Sequence, residues 1–214
     1  MTEPEQLIRE TGIVAVLRGF DEEASLATTE AVTRGGVKAV EITANTDGFQ
    51  QTLEAVSERH GGADVAVGAG TVLDATTART AIASGAEFLV TPTFDEGVVK
   101  TGNRYRVPVL TGVATPTEAL TAYEAGARMC KVFPASSLGP EFVSALGGPL
   151  PQIPLVPTGG VSRENAPAFF EAGSVALGVG SSLAPAAAVA EGDFEAIERR
   201  AAEFLAIARE HGHG

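Results

Sequence analysis

The sequence predicts a (β/α)8 TIM barrel, and three observations carry that expectation. Short β-rich runs that are apolar throughout alternate with amphipathic segments along the chain, as they must when a parallel sheet is covered on both faces. Strand starts recur about every 20–26 residues, the length of one βα unit, and eight such units fit in about 180 residues. Many helical segments close on glycine, the residue that best tolerates the left-handed conformation after a helix. An open doubly wound sheet produces a similar pattern. Its dinucleotide-binding form is weakened because no Gly-x-Gly-x-x-Gly follows the first strand.

In chain order the predicted strands are Ile13–Leu17, Ala39–Thr43, Val65–Gly70, Phe88–Pro92, Val107–Val113, Met129–Phe133, Pro154–Pro157 and Val175–Gly180. The clearest helical patterns lie at Glu22–Arg34, Thr76–Ser84, Thr115–Glu124 and Arg163–Glu171, with Gly35, Gly85, Gly126 and Gly173 at C′ positions. A short leading helix is expected over residues 3–10 and a long closing one over Asp193–His211. With no Pro/Gly/Ser-rich linker, residues 1–214 read as one domain.

Composition excludes several functions. A net charge of −12 is wrong for a nucleic-acid partner. No apolar run approaches the ~20 residues that cross a bilayer. The opening Met1-Thr2-Glu3-Pro4-Glu5 lacks the basic and apolar parts of a signal peptide, so a cytoplasmic location is expected. Cys130 is the single cysteine, and the histidines are His60, His211 and His213; this set offers no metal centre.

Two charges interrupt apolar strands. Lys131, one of three lysines, stands in Met129-Cys130-Lys131-Val132-Phe133-Pro134-Ala135, and Glu41 stands in Val40-Glu41-Ile42-Thr43. An unpaired buried ammonium costs several kcal/mol, and burial converts it toward a neutral nucleophile that can attack a carbonyl. Buried Glu41 can shuttle protons near neutrality. The alternative is structural: Glu41 neutralises Lys131 or Arg18, and no chemistry follows.

Other polar groups gather at the strand ends, where barrels place their sites. They include Arg18 after the first strand, Asn45 after the second, Gly68-Ala69-Gly70-Thr71, Pro92, and Phe133. Thr158-Gly159-Gly160 and Gly178-Val179-Gly180-Ser181 end strands seven and eight. There, backbone N–H groups and the Ser181 hydroxyl can cradle a phosphate; tight turns explain the same glycines.

These residues resemble the 2-keto-3-deoxy-6-phosphogluconate (KDPG) and 4-hydroxy-2-oxoglutarate aldolases. The likeness runs from about Gly12 to Leu183 and rests on Val40-Glu41-Ile42-Thr43, Gly68-Ala69-Gly70-Thr71-Val72-Leu73, Lys131-Val132-Phe133-Pro134-Ala135 and Pro157-Thr158-Gly159-Gly160-Val161. The resemblance implies a cofactor-independent class I aldolase, usually a homotrimer. It would cleave KDPG reversibly to pyruvate and glyceraldehyde 3-phosphate through a lysine Schiff base. Lys131 would form the imine and Glu41 would be the general acid/base. Thr71 would help bind the pyruvyl carboxylate, and Phe133 would pack beside the imine. Gly159, Gly160, Gly180 and Ser181 would hold the phosphate. Arg18 matches a substrate-binding arginine, while Pro92 and Thr158 match positions tied to stereochemistry at C4.

One position departs. Many members carry arginine four residues after the catalytic glutamate, where this chain has Asn45; an amide lacks the charged, bidentate pairing of a guanidinium. Asn45 and the stretch from Phe133 to Pro140 look more like the C4-epimeric phosphogalactonate (KDPGal) aldolases, whereas Thr158 points to the gluconate epimer. The alternatives to KDPG cleavage are KDPGal or 4-hydroxy-2-oxoglutarate cleavage, or a phosphometabolite-binding barrel without imine chemistry.

Overall fold

The computed structural model describes residues 4–62 and 64–214; residue 3, where the leading helix was expected to begin, lies outside them, as do residues 1, 2 and 63. The elements run α1 (Pro4–Thr11), β1 (Ile13–Leu17), α2 (Glu22–Arg34), β2 (Ala39–Thr43), α3 (Phe49–His60) and β3 (Ala66–Gly70). Then come α4 (Ala75–Ala83), β4 (Phe88–Val90), α5 (Glu96–Tyr105), β5 (Val109–Val113), α6 (Pro116–Glu124) and β6 (Met129–Val132). The chain finishes with α7 (Ala135–Gly147), β7 (Leu155–Pro157), α8 (Ala166–Glu171), β8 (Leu177–Val179), α9 (Ala186–Glu191) and α10 (Phe194–Glu210).

All strand pairings are parallel, in the order β7-β6-β5-β4-β3-β2-β1-β8. The β7–β8 seam is joined by a bridge between Thr158 and Gly178 and by the Val175 N–H donating to the Leu155 carbonyl at 3.0 Å. The eight strands thus form a nearly closed (β/α)8 barrel.

Strand parity divides the apolar residues into two cores. Val14, Ala39, Ala66, Phe88, Val90, Leu110, Met129, Val156 and Ala176 fill the interior together with Leu7 and Ile8 of α1, which close its N-terminal end. Ile13, Ala15 and Leu17 of β1 and their counterparts on the other strands pack outward against the helices. Helix starts lie on the opposite, C-terminal face. Asp21, Asp74, Asp95, Thr115 and Asp193 each accept a backbone N–H from the first turn of the following helix, satisfying donors that the helix leaves unpaired.

Several expected bounds are corrected, for physical reasons. The fifth strand begins at Val109 and not Val107, because the Val107 N–H caps α5 by bonding the Gly102 carbonyl at 2.9 Å and Pro108 has no N–H. The fourth strand stops at Val90, short of Pro92, where the Gly112 N–H donates to the Thr91 hydroxyl at 3.0 Å and not to a backbone carbonyl. The eighth covers only Leu177–Val179. Helix α8 starts at Ala166, since Asn165 Oδ1 takes the Ser162 N–H at 2.8 Å and holds residues 162–165 in a turn. After α2 the left-handed glycine is Gly36 (φ 95°), not Gly35, whose φ is −69°.

Ile8 is completely buried at the barrel floor. Ile8→Ala should therefore lower unfolding free energy by about 2–5 kcal/mol, read from urea denaturation. An unchanged midpoint would show that α1 does not seal the barrel.

Candidate active site

Glu41 and Lys131 project into the barrel above its apolar floor. Glu41 pairs in register with Val16 and Gly68, and Lys131 with Gly112 and Val156. Strands β2 and β6 stand four places apart in the eight-strand order, so the two side chains face one another across the axis. Both are almost wholly buried, at 1% and 3% exposure. They make no direct ion pair among the described residues, and Glu41 Oε1 has no hydrogen-bond partner. A Cβ at Gly70 would overlap the Glu41 carboxyl, so glycine at the end of β3 makes the space that the acid occupies.

Burial governs the titration of both groups. It raises the Glu41 pKa, opposed by the charges of Lys131 and Arg18. It lowers the Lys131 pKa; Glu41 opposes that shift and Arg18 reinforces it. Each group is driven toward its neutral form. The resulting amine is a nucleophile, and a carboxyl with a raised pKa can both give and take a proton. Phe133 lies alongside, its ring centroid 5.2 Å from Lys131 Nζ, and precedes a cis bond to Pro134.

A cleft of about 310 Å³ opens beside this pair, lined by Arg18, Phe133, Thr158, Gly159, Gly160, Gly180 and Ser181 among the residues predicted from sequence. Val161, from the motif after strand seven, adds apolar wall, as do Val16 and Phe20, which the sequence did not single out. Thr158 donates its hydroxyl to the Val156 carbonyl at 3.3 Å and lies so close to Gly178 that no Cβ would fit there.

The remaining predicted residues are at the same mouth but not on this cleft. Thr71 follows β3 with φ of 56°, an unfavourable conformation for a β-branched residue and of a kind that clusters at functional sites. Pro92 follows β4, and its backbone abuts Gly112, where a side chain would overlap it. Asn45 is exposed after β2. Sequence reading also passed over Thr46, whose Oγ1 accepts the Gly19 N–H at 3.0 Å and meets the Thr43 hydroxyl at 3.1 Å. It thereby ties the loop carrying Arg18 to the loop carrying Asn45. Only their spatial approach reveals that link.

Because burial lowers the Lys131 pKa, its amine should react with cyanate at a lower pH than the amines of Lys38 and Lys100. Glu41→Gln removes the attraction that opposes this shift and should move the Lys131 midpoint lower still. Peptide mass mapping across a pH series reads both outcomes; a Lys131 midpoint at the ordinary lysine value would contradict the buried neutral amine.

The family model described as KDPG and KHG aldolase matches residues 5–200. A 2-dehydro-3-deoxy-phosphogluconate aldolase of Pseudomonas aeruginosa is 37% identical, covering 96% of this chain and 93% of its own. A 2-dehydro-3-deoxy-6-phosphogalactonate aldolase of Escherichia coli K12 is also 37% identical, covering 80% and 83%. Among solved structures, a KDPG aldolase of Legionella pneumophila, with pyruvate captured at low pH as a covalent carbinolamine intermediate, superposes with a TM-score of 0.85. It is 26% identical, covering 94% of this chain and 97% of its own. A barrel with a buried lysine facing a buried glutamate, matched along nearly its whole length, thus belongs to the KDPG and KHG aldolase family and is a lyase.

Proposed function

We propose that this aldolase reversibly cleaves KDPG to pyruvate and glyceraldehyde 3-phosphate through an imine on Lys131. The observation that carries this reading is the unpaired, buried Lys131 amine opposite a carboxyl whose pKa burial raises. The carbinolamine seen with pyruvate in the Legionella relative supports the same first step.

Neutral Lys131 Nζ attacks the C2 ketone to give a carbinolamine. Protonated Glu41 donates to the departing hydroxyl, which leaves as water, and a protonated imine remains. The Glu41 carboxylate then accepts the proton of the C4 hydroxyl. The C3–C4 bond breaks, its electron pair moves into the imine system as an enamine, and glyceraldehyde 3-phosphate departs. Glu41 returns a proton to C3, and water hydrolyses the imine to release pyruvate and the free amine. A carboxyl whose pKa burial raises can take both directions of transfer.

In this reading Thr71 helps hold the pyruvyl carboxylate and Phe133 packs against the imine. Arg18 supplies the charge that Asn45 lacks. Gly159, Gly160, Gly180 and Ser181 grip the phosphate, while Pro92 and Thr158 flank C4. Binding at two ends holds the scissile bond between lysine and glutamate. No cofactor or metal enters. A single domain over residues 1–214, a homotrimeric assembly and a cytoplasmic location belong to the same proposal and rest on the sequence reading and the family likeness.

A second reading, KDPGal cleavage, is favoured by Asn45 and by the phosphogalactonate aldolase that matches at the same 37% identity. Parallel assays of pyruvate release from KDPG and KDPGal separate the two; faster cleavage of KDPGal would move the assignment to the second. Borohydride with pyruvate should add one reduced pyruvyl group at Lys131, and Lys131→Ala should neither trap pyruvate nor turn over. Gly70→Ala should fold but crowd Glu41, lowering kcat by roughly 10²-fold or more. Near-parental turnover in Gly70→Ala would remove Glu41 from the chemistry.

A further inference from the structure

The turn after β7 has more behind it than its two glycines. Successive carbonyls are each captured by a donor that does not line the cleft. The Gly159 carbonyl accepts the Ser136 N–H of α7 at 2.9 Å, and the Gly160 carbonyl accepts Asn165 Nδ2 at 2.9 Å. Asn165 also receives the Ser162 N–H on Oδ1 at 2.8 Å, so its one amide spans the turn. In a trans peptide the C=O and the following N–H point in opposite directions. Turning the Gly159 carbonyl to Ser136 therefore turns the Gly160 N–H away from Ser136. Turning the Gly160 carbonyl to Asn165 turns the Val161 N–H away from Asn165.

Gly159, Gly160 and Val161 line the cleft, whereas Ser136 and Asn165 do not. The Gly160 and Val161 N–H groups have no acceptor among the described residues. Both glycines have positive φ (89° and 76°), and a Cβ at Gly160 would lie 2.5 Å from that of Ser136. Adjacent N–H donors held in a turn form a concavity for an anion. The arginine of this loop does not supplement them, because Arg163 is paired with Glu203.

We infer that Asn165 is a positioning residue for phosphate recognition: by holding the Gly160 carbonyl outside the cleft, it aims the Gly160 and Val161 N–H groups at the substrate's phosphate. Asn165 does not touch the substrate; it acts through the peptide plane. The inference rests on the reading of this cleft as the phosphate subsite.

The test uses inorganic phosphate and two substrates on the full chain. In parent protein, phosphate should shift the Gly160 and Val161 amide resonances and compete with KDPG. In Asn165→Ala those shifts should be lost and KM for KDPG should rise roughly 10- to 100-fold, as loss of one or two charge-assisted bonds requires. The kcat should stay within about threefold, and kcat/KM for 4-hydroxy-2-oxoglutarate, which has no phosphate, within about twofold. Asn165→Asp keeps an acceptor for Ser162 and loses the donor to Gly160, so it should reproduce the loss of amide shifts on a fold held by the Ser162 bond. Parental amide shifts and KM in both variants would overturn the role of Asn165 alone. Absence of phosphate shifts in the parent, with equal KM for phosphorylated and unphosphorylated substrates, would overturn the phosphate subsite and this inference together.

Discussion

Two ionisable side chains inside an otherwise apolar barrel set the terms for everything around them. Neither Glu41 nor Lys131 is exposed beyond 3%, and no direct ion pair joins them. Carrying both charges into such a site would cost several kcal/mol each. The available relief is neutralisation, and burial shifts each pKa in the direction that achieves it. The arrangement that makes the pair costly to fold is the one that drives the amine toward its neutral form.

The rest of the barrel supplies what that pair needs. Its N-terminal half is packed solid, with Phe88, Leu110, Met129 and the α1 residues Leu7 and Ile8 forming a floor. Its C-terminal half is cleared by absent side chains: Gly70 leaves room for the Glu41 carboxyl, Gly112 for the Pro92 backbone, and Gly178 for Thr158. Stability and chemistry therefore occupy opposite ends of the same strands. The helix caps and the cleft share the C-terminal face, where loops have the freedom to carry polar groups.

Much of this was legible in the chain. Both-face burial made the strands read as unbroken apolar runs, so an intruding lysine and glutamate were conspicuous without any structure. The glycines at the ends of β7 and β8 were visible too, and Gly159, Gly160 and Gly180 line one cleft with Arg18 and Thr158. Element ends were less legible. Val107 is as β-prone as Val109, yet its N–H is spent on a helix cap. Gly35 and Gly36 are indistinguishable as letters, though only one takes the left-handed conformation.

Asn165 and Thr46 show where sequence reading stops. Each is an ordinary polar loop residue, and each acts by bonding a backbone group brought near by folding. The sequence alone narrowed the fold to a parallel βα repeat, marked Lys131 and Glu41 as charges inside apolar strands and named the strand ends at which polar groups gather, because those follow from periodicity and from the cost of buried charge. The tertiary structure decided that Lys131 and Glu41 face each other unpaired, that Gly70 and not a neighbouring glycine makes room for the acid, and which way the Gly160 and Val161 N–H groups point. The first two are relations between strands distant in the chain that only closure of the sheet brings together, and the third depends on side-chain and backbone bonds that the letters do not reveal.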